Sequence, residues 1–507
     1  MTSPLSIPRF RKFIIPGEGA KGLMYNTWTQ RVALFEGDSA EVAELLTQHS
    51  GDLAPALDFM VARGQFLSQD PRNEALAILN SFMQSLHEAG LLKGRLEAKG
   101  VAGPEARVQM AVDPELNPEL QIASAMSAHR KLYSLVLELT YRCNERCVHC
   151  YCPENRDIPE MPTEVIVRLL QEFQALGGFR LQLTGGEALL RPDILTILRQ
   201  AKDLGLLVDL ISNLTLLKPE ILAALIDLAP REVGCSVYSA DPEIHDRITE
   251  KPGSHRQTLA AVRQLRAEGI PVLLKSPLMK ETLPGWPALK DLAESLGCGW
   301  QCDLSITPRN DGGQNPIDLR SWDQDSIRSL FGSALYHIAA KDEPAGVVRG
   351  ASPDAALCGA GSSGLAISPD GTIRPCIGLM DELGRYPEHS LEEVWHQSPW
   401  FSEWERHKLS DIESCRDCDK VRFCSRCPGA RVHGDWRPGP SLRHRPTPVS
   451  SQKHGNRPNQ TGDIDRPESR GYTEITTISG STSFWSMPSM ARRVPVRLAG
   501  QLPQAPI

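Results

Sequence analysis

The chain has no stretch approaching ~20 consecutive apolar residues, the length a helix needs to cross a bilayer, so no membrane span is expected. Its opening, Met1 to Phe13, is broken by Pro8, Arg9, Arg11 and Lys12 and lacks the apolar core of a secretory signal. An excess of positive charge is also missing: 55 Lys and Arg against 62 Asp and Glu leave a net charge of -7, which gives no reason to expect nucleic acid as a partner. These absences together predict an unexported, cytoplasmic protein. Hydrophobic residues at 41% and charged residues at 23% lie near globular averages and exclude wholesale disorder, collagen-like repeats and coiled-coil rods. At 507 residues the chain is too long for one ordinary domain.

Cysteine, by contrast, is plentiful, with 13 in the chain. In a reducing compartment such a number points to metal binding or catalysis rather than to disulfides. Cys143, Cys147, Cys150 and Cys152 form one group; Cys358, Cys376, Cys415, Cys418, Cys424 and Cys427 form a second; Cys235, Cys298 and Cys302 are scattered and read as structural thiols, as does Cys152.

Composition divides the chain into four zones. Residues 1–125 carry short extended runs, Lys12 to Ile15 and Gly22 to Thr27, followed by apolar residues at helical spacing from Glu74 to Leu92, and predict a small α+β domain. Pro104, Pro114 and Pro118 mark a linker. Residues 130–308 alternate short apolar runs with amphipathic helical windows. Strands are predicted at Ser134 to Leu139, Phe179 to Leu183, Leu207 to Ile211, Glu232 to Tyr238, Pro271 to Lys275 and Trp300 to Ile306. Repeated strand-helix units imply a parallel sheet, here α/β and a partial (β/α)6 barrel of the TIM type, with its chemistry at the carboxyl ends of the strands. Residues 345–436 are rich in Gly and Cys, as expected of a loop-rich region organised around metal. Residues 437–507 hold ten Pro, ten Lys and Arg against four Asp and Glu, and no Cys, and read as disordered.

Cys143-Asn-Glu-Arg-Cys147-Val-His-Cys150 is a CX3CX2C triplet on the loop leaving the first barrel strand. Three thiolates on one loop can hold three irons of a [4Fe-4S] cluster and leave the fourth open, although a zinc site short of one ligand also has this spacing. Thr184-Gly185-Gly186-Glu187 follows the second strand, where two glycines allow close backbone approach and a carboxylate can accept from an ammonium group. Together, triplet and GGE resemble the radical S-adenosylmethionine (SAM) superfamily. That resemblance implies that Cys143, Cys147 and Cys150 ligate the cluster, that SAM chelates its open iron, and that Gly185, Gly186 and Glu187 hold the SAM amino group. By the same resemblance Ser212 and Asn213, ending strand three, would face the ribose, and Ser236, ending strand four, the SAM carboxylate. Two departures are visible: His149 stands where the family usually has an aromatic residue, and Thr249 replaces an Arg that many relatives use as a second carboxylate contact.

The second cysteine group reads CX12GX4C around Gly371, then Cys415-X2-Cys418-X5-Cys424-X2-Cys427. A zinc ribbon has two CX2C pairs. Behind a radical SAM barrel, however, the spacing resembles the SPASM extension with auxiliary [4Fe-4S] clusters. This implies that Cys358, Cys376 and Cys427 serve the nearer cluster and Cys415, Cys418 and Cys424 the farther one. The last pair is one residue closer than usual and no further cysteine follows Cys427. The expectation is therefore one or two auxiliary clusters, with the farther one short of a ligand and residues 437–507 foreign to the fold, through a frameshift in the coding sequence. About twelve iron per reconstituted chain would count against that.

SPASM relatives mostly act on genetically encoded peptides or proteins, so the resemblance implies a SAM-cleaving enzyme that modifies a ribosomal precursor peptide by crosslinking or oxidation. It also implies a flavodoxin- or ferredoxin-type electron donor. Leu23-Met24-Tyr25-Asn26-Thr27-Trp28-Thr29 resembles a segment opening several peptide maturases, and the N-terminal domain could dock a leader peptide by strand addition. Within the group the chain looks closest to the geopeptide maturases. An anaerobic sulfatase-maturing enzyme is one alternative, although Ile377 stands where those relatives carry Asp. Others are a non-catalytic iron-sulfur electron carrier or scaffold, and a zinc-dependent binding module. No catalytic acid or base is identifiable.

Overall fold

The computed structural model describes residues 9–16, 19–27, 31–49, 51–63, 69–92, 110–111, 118–304, 306–313, 315–321, 323–331, 358–411 and 495–498. Near the N-terminus, apolar alternation produces an antiparallel meander of β1 (Arg9–Ile15), β2 (Gly19–Asn26) and β3 (Arg31–Glu36). The first two contain the predicted extended runs; β3 was not anticipated. Three helices follow, α1 (Asp38–Gln48), α2 (Ala54–Arg63) and α3 (Pro71–Glu88). α3 starts where it does because the Asp70 carboxylate accepts from the Asn73 N–H while Pro71 occupies the first turn. Met24, Ala33 and Phe35 bury one sheet face against Leu79, Phe82 and Leu86 of α3.

The opposite face meets the barrel. After β4 (Met110–Ala111) and α4 (Pro118–Ala128), Tyr133, Phe179 and Leu207 at the amino ends of three barrel strands pack with Phe13, Tyr25 and Leu34 of the meander and Ile122 of α4. Charge reinforces this junction. Arg9 donates to the carbonyls of Lys202 (3.0 Å) and Leu228 (2.9 Å), and Arg11 to that of Gln174. All three carbonyls belong to the last turns of barrel helices, where carbonyls lack intrahelical partners and a cation is favoured.

The barrel strands are β5 (Ser134–Glu138), β6 (Arg180–Thr184), β7 (Leu207–Ser212), β8 (Glu232–Ser236), β9 (Val272–Pro277) and β10 (Gly299–Asp303). Each pairs in parallel with the next. Helices α5 (Thr163–Ala175), α6 (Ile194–Asp203), α7 (Pro219–Leu228), α8 (Pro242–Thr249), α9 (Ser254–Ala267) and α10 (Trp286–Ser295) make the crossovers. Leu135, Leu137, Leu181, Leu183, Val208 and Leu210 share one apolar cluster with helix residues such as Ile166, Leu169 and Ile197. The alternate residues, among them Arg180, Asp209, Lys275 and Gln301, face the lumen. At its amino end Asp209 binds both Arg180 (2.8 Å) and Arg231 (2.6 Å), and Glu119 of α4 reaches Arg180 at 3.4 Å.

β5 and β10 do not pair, so the barrel is open. The free edge of β5 is taken by β11 (Gly364–Ile367) in parallel register, followed by β12 (Thr372–Arg374) and β13 (Gly384–Arg385) in antiparallel succession. The C-terminal region is thus built onto the first barrel strand. Within the segment read as disordered, Pro495–Leu498 forms β14, parallel to β3 and antiparallel to β4. For those four residues the disorder reading is corrected: the outer edge of β3 offers unpaired backbone groups that an extended segment satisfies. No described helix is long and apolar enough to cross a membrane.

Candidate functional site

β5 ends at Glu138, and the chain leaves the barrel's carboxyl end as the cysteine loop. Cys143, Cys147 and Cys150 are all half-buried there. A turn places the Cys150 N–H on the Cys147 carbonyl at 3.0 Å, and the loop leans on the end of α8 through Arg146 N to Thr249 O and Val148 N to Ile248 O, both 3.0 Å. Each of the first two sulfurs faces a donor: Asn213 Nδ2 lies 3.9 Å from Cys143 Sγ, and the Tyr238 hydroxyl 3.7 Å from Cys147 Sγ. Burial pushes the Cys143 thiol up to about 11, whereas a hydrogen bond from Cys152 and the charge of Arg156 pull Cys150 down.

The GGE segment packs against the cysteine loop. A Cβ at Gly185 would stand 2.2 Å from the Thr140 carbonyl oxygen, and one at Gly186 2.4 Å from that of Arg142. Gly186 N–H donates to Thr140 O (2.6 Å) and Glu187 N–H to Arg142 O (2.9 Å). The close approach that demands glycine is therefore that of the cysteine loop's own backbone, with Gly185 at a φ of 129°. Glu187 is fully buried, and its two oxygens accept from Leu189 N–H (2.9 Å), the Ser212 hydroxyl (2.7 Å) and Asn213 N–H (2.8 Å). Glu187 and Ser212 thus serve each other here, tying the ends of β6 and β7 together. Burial raises the Glu187 carboxyl, and these hydrogen bonds oppose the shift.

Asn213 is the side chain of this group that turns to the loop. Its Nδ2 donates to Asn144 Oδ1 (3.0 Å), Asn144 donates to Thr215 Oγ1 (2.7 Å), and Lys251 Nζ donates to the same Thr215 oxygen (3.0 Å). Lys251 was missed from sequence. It lies two residues beyond Thr249, and its charge lowers both Glu145 and Glu187. Ser236 sits beside Lys275 in strand register.

Three buried polar atoms in and beside the loop have no hydrogen-bond partner: Glu145 Oε1, His149 Nδ1 and Arg156 Nε. Such atoms are costly unless something satisfies them. Glu145, with one oxygen 3.7 Å from Cys147 Sγ, is pushed up to about 7 by burial. His149 is lowered to about 4 by burial, so it stays neutral against the Tyr238 ring at 4.6 Å. Among the described residues no three Cys, His, Asp or Glu side chains converge on a single ion. Three thiols on one loop are a ligand set that a multi-iron cluster can use.

Cys358 and Cys376 are half-buried at either end of the β11–β12 hairpin. Gly371 turns that hairpin at a φ of 87°, with Tyr386 O only 2.2 Å from where a Cβ would lie, so glycine is required. The predicted ligands Cys415, Cys418, Cys424 and Cys427 lie outside the described residues.

Comparison with known proteins agrees with this geometry. Residues 137–291 match the model of the radical SAM superfamily, and residues 358–419 that of the SPASM iron-sulfur cluster-binding domain. The chain carries a radical SAM domain. Radical SAM and SPASM domains imply [4Fe-4S] clusters and SAM as cofactors, and the chain is an enzyme of this group. The PqqA peptide cyclase of Ruegeria pomeroyi is 28% identical over 60% of this chain and 84% of its own length. The AdoMet-dependent heme synthase of Methanosarcina barkeri is 28% identical over 57% and 89%. In fold, the chain resembles Streptococcus suis SuiB bound to its precursor peptide SuiA, with a TM-score of 0.52 at 14% identity over 82% of this chain and 93% of that one.

Proposed function

We propose that this radical SAM enzyme modifies a ribosomally made peptide, cleaving SAM reductively and installing a crosslink or an oxidised side chain. The observation that carries the reading is the half-buried triplet Cys143, Cys147 and Cys150 with sulfur-facing donors and orphaned polar atoms around it. Similarity to a peptide cyclase supports the peptide as substrate class. When bound, cluster and SAM supply a 5'-deoxyadenosyl radical able to take hydrogen from an unactivated carbon. The chain's residues do the rest. Cys143, Cys147 and Cys150 hold the cluster, while Asn213, Asn144 and Thr215 keep the loop against β7. Lys251 supplies the positive charge that Thr249 cannot. Gly185, Gly186 and Glu187 hold the SAM amino group, Ser212 and Asn213 face its ribose, and Ser236 its carboxylate.

In this reading residues 1–125 dock the precursor peptide, 130–308 are the catalytic core, and 345–436 hold one or two auxiliary clusters through Cys358, Cys376, Cys415, Cys418, Cys424 and Cys427. The enzyme works in the cytoplasm with a flavodoxin- or ferredoxin-type donor. Anaerobically reconstituted protein should form 5'-deoxyadenosine from SAM under dithionite, and Cys147→Ala should reduce this to background. Retained cleavage in that variant would sink the assignment. A short precursor peptide encoded beside the gene should gain a mass change on incubation; an unaltered peptide beside a turned-over porphyrin would move the substrate to the heme synthase class.

A further inference from the structure

Glu138, the last residue of β5, is 1% exposed and lies on the strand face opposite the apolar cluster that holds Leu137 and Leu139. A carboxylate so buried needs donors or a counterion. Its donors come from both ends of the cysteine loop. The Tyr141 hydroxyl, two residues before Cys143, donates to Oε2 at 2.9 Å, and the Tyr151 hydroxyl, directly after Cys150, donates to Oε1 at 2.8 Å. One carboxylate thus closes the loop like a clasp. On its other side stands Arg374 of β12, two residues before Cys376, with Nη1 at 4.0 Å from Oε2. That nitrogen is buried and has no hydrogen-bond partner. Asn310 joins the same group, its N–H donating to Tyr151 O at 2.7 Å and its Nδ2 lying 3.5 Å from the Tyr141 hydroxyl.

We infer that Glu138 is a positioning residue that sets the cysteine loop against the hairpin carrying Cys376, holding the SAM-cluster and auxiliary-cluster regions at one separation. The inference rests on the reading of Cys143, Cys147, Cys150 and Cys376 as cluster ligands. It uses two properties of the carboxylate, its geometry and its charge, which three variants separate. Glu138→Gln keeps shape and removes the ionisable group; Glu138→Ala removes both; a Tyr141→Phe/Tyr151→Phe double variant keeps the carboxyl and removes the clasp.

The readouts are iron per chain, the EPR spectrum of the reduced protein with and without SAM, and EPR-monitored midpoint potentials of the full-length reconstituted chain. Glu138→Gln should retain iron and shift the SAM-cluster potential to more positive values, because a nearby negative charge is gone. Glu138→Ala should require at least tenfold more SAM for its spectral change. The double Phe variant should share that weakened SAM response. Wild-type potentials in Glu138→Gln, or a wild-type SAM response in Glu138→Ala and in the double Phe variant, would overturn the inference. So would loss of iron from both regions in Glu138→Gln, which would make the residue a fold determinant only. A wild-type chain whose spectrum ignores SAM would instead sink the functional reading, while the potentials would still report on Glu138.

Discussion

The two ends of the barrel solve opposite problems with the same kinds of residue. At the amino end Asp209 lies between two arginines, Arg9 and Arg11 satisfy helix-end carbonyls, and the meander covers what is left. At the carboxyl end buried polar atoms of Glu145, His149, Arg156 and Arg374 stand without partners. The carboxylates register the difference: Asp209 is held below its ordinary value against burial by Arg231 and Arg180, whereas burial wins at Glu145, which rises to about 7. Glu232, at the amino end, also rises, because burial outweighs the charge of Arg231 3.9 Å away. The amino end leaves the Tyr133 hydroxyl without a partner, against these four groups at the carboxyl end, and a barrel end with that many unsatisfied buried groups is the one kept for a ligand.

The sharpest way to break the comparison is to remove Asp209. Asp209→Ala removes the carboxylate shared by two buried arginines, leaving the longer contacts of Glu119 and Glu232, and should cost about 3–5 kcal/mol in urea unfolding, with 5'-deoxyadenosine formation per folded molecule unchanged. Because the Asp209 value is depressed, its stabilisation is present above ~pH 4, the unfolded value, and is lost as pH falls through the folded one. Asp209→Asn should remove that part of the acid transition.

Next is Gly185→Ala. A methyl 2.2 Å from Thr140 O, on backbone at φ 129°, should cost about 2–3 kcal/mol and displace the loop, so SAM cleavage falls with stability. Glu145 has the opposite sign to Asp209. With a folded value of about 7 against ~4.3 unfolded, the cluster-free chain should lose stability as pH rises between the two, by on the order of 3 kcal/mol, and Glu145→Gln should flatten that slope. Smallest is Arg9→Ala, which removes two side-chain hydrogen bonds at the domain junction and should lower the unfolding free energy by about 1 kcal/mol without touching cleavage.

Much of this was legible in the sequence, for local reasons. The six barrel strands fall where alternating apolar runs put them, and β6 starts one residue later than predicted because Phe179 turns instead to the meander. The cysteine triplet was readable because its ligands sit on one short loop. What stayed hidden depends on register across strands or on distant segments. That Gly185 and Gly186 make room for backbone requires knowing that β5 and β6 are neighbours. Lys251 looks like any surface lysine until Thr215 is placed beneath it, and Glu138 looks like one more strand residue until Tyr141 and Tyr151 fold back on it. β3 was missed because its pattern, Arg-Val-Ala-Leu-Phe-Glu, is a short apolar block without alternation.

The meander at the amino end of the barrel has a consequence for any peptide that docks there. The triplet follows the carboxyl end of β5, so recognition and reaction are separated by the height of the barrel. A five-residue strand spans ~17 Å, and loops on either side bring the path to roughly 30 Å. An extended chain covers that with about nine residues. For a precursor docked there as proposed, residues much nearer than this to the docked segment would stay out of reach, and shortening the spacer should silence the nearest modified position first.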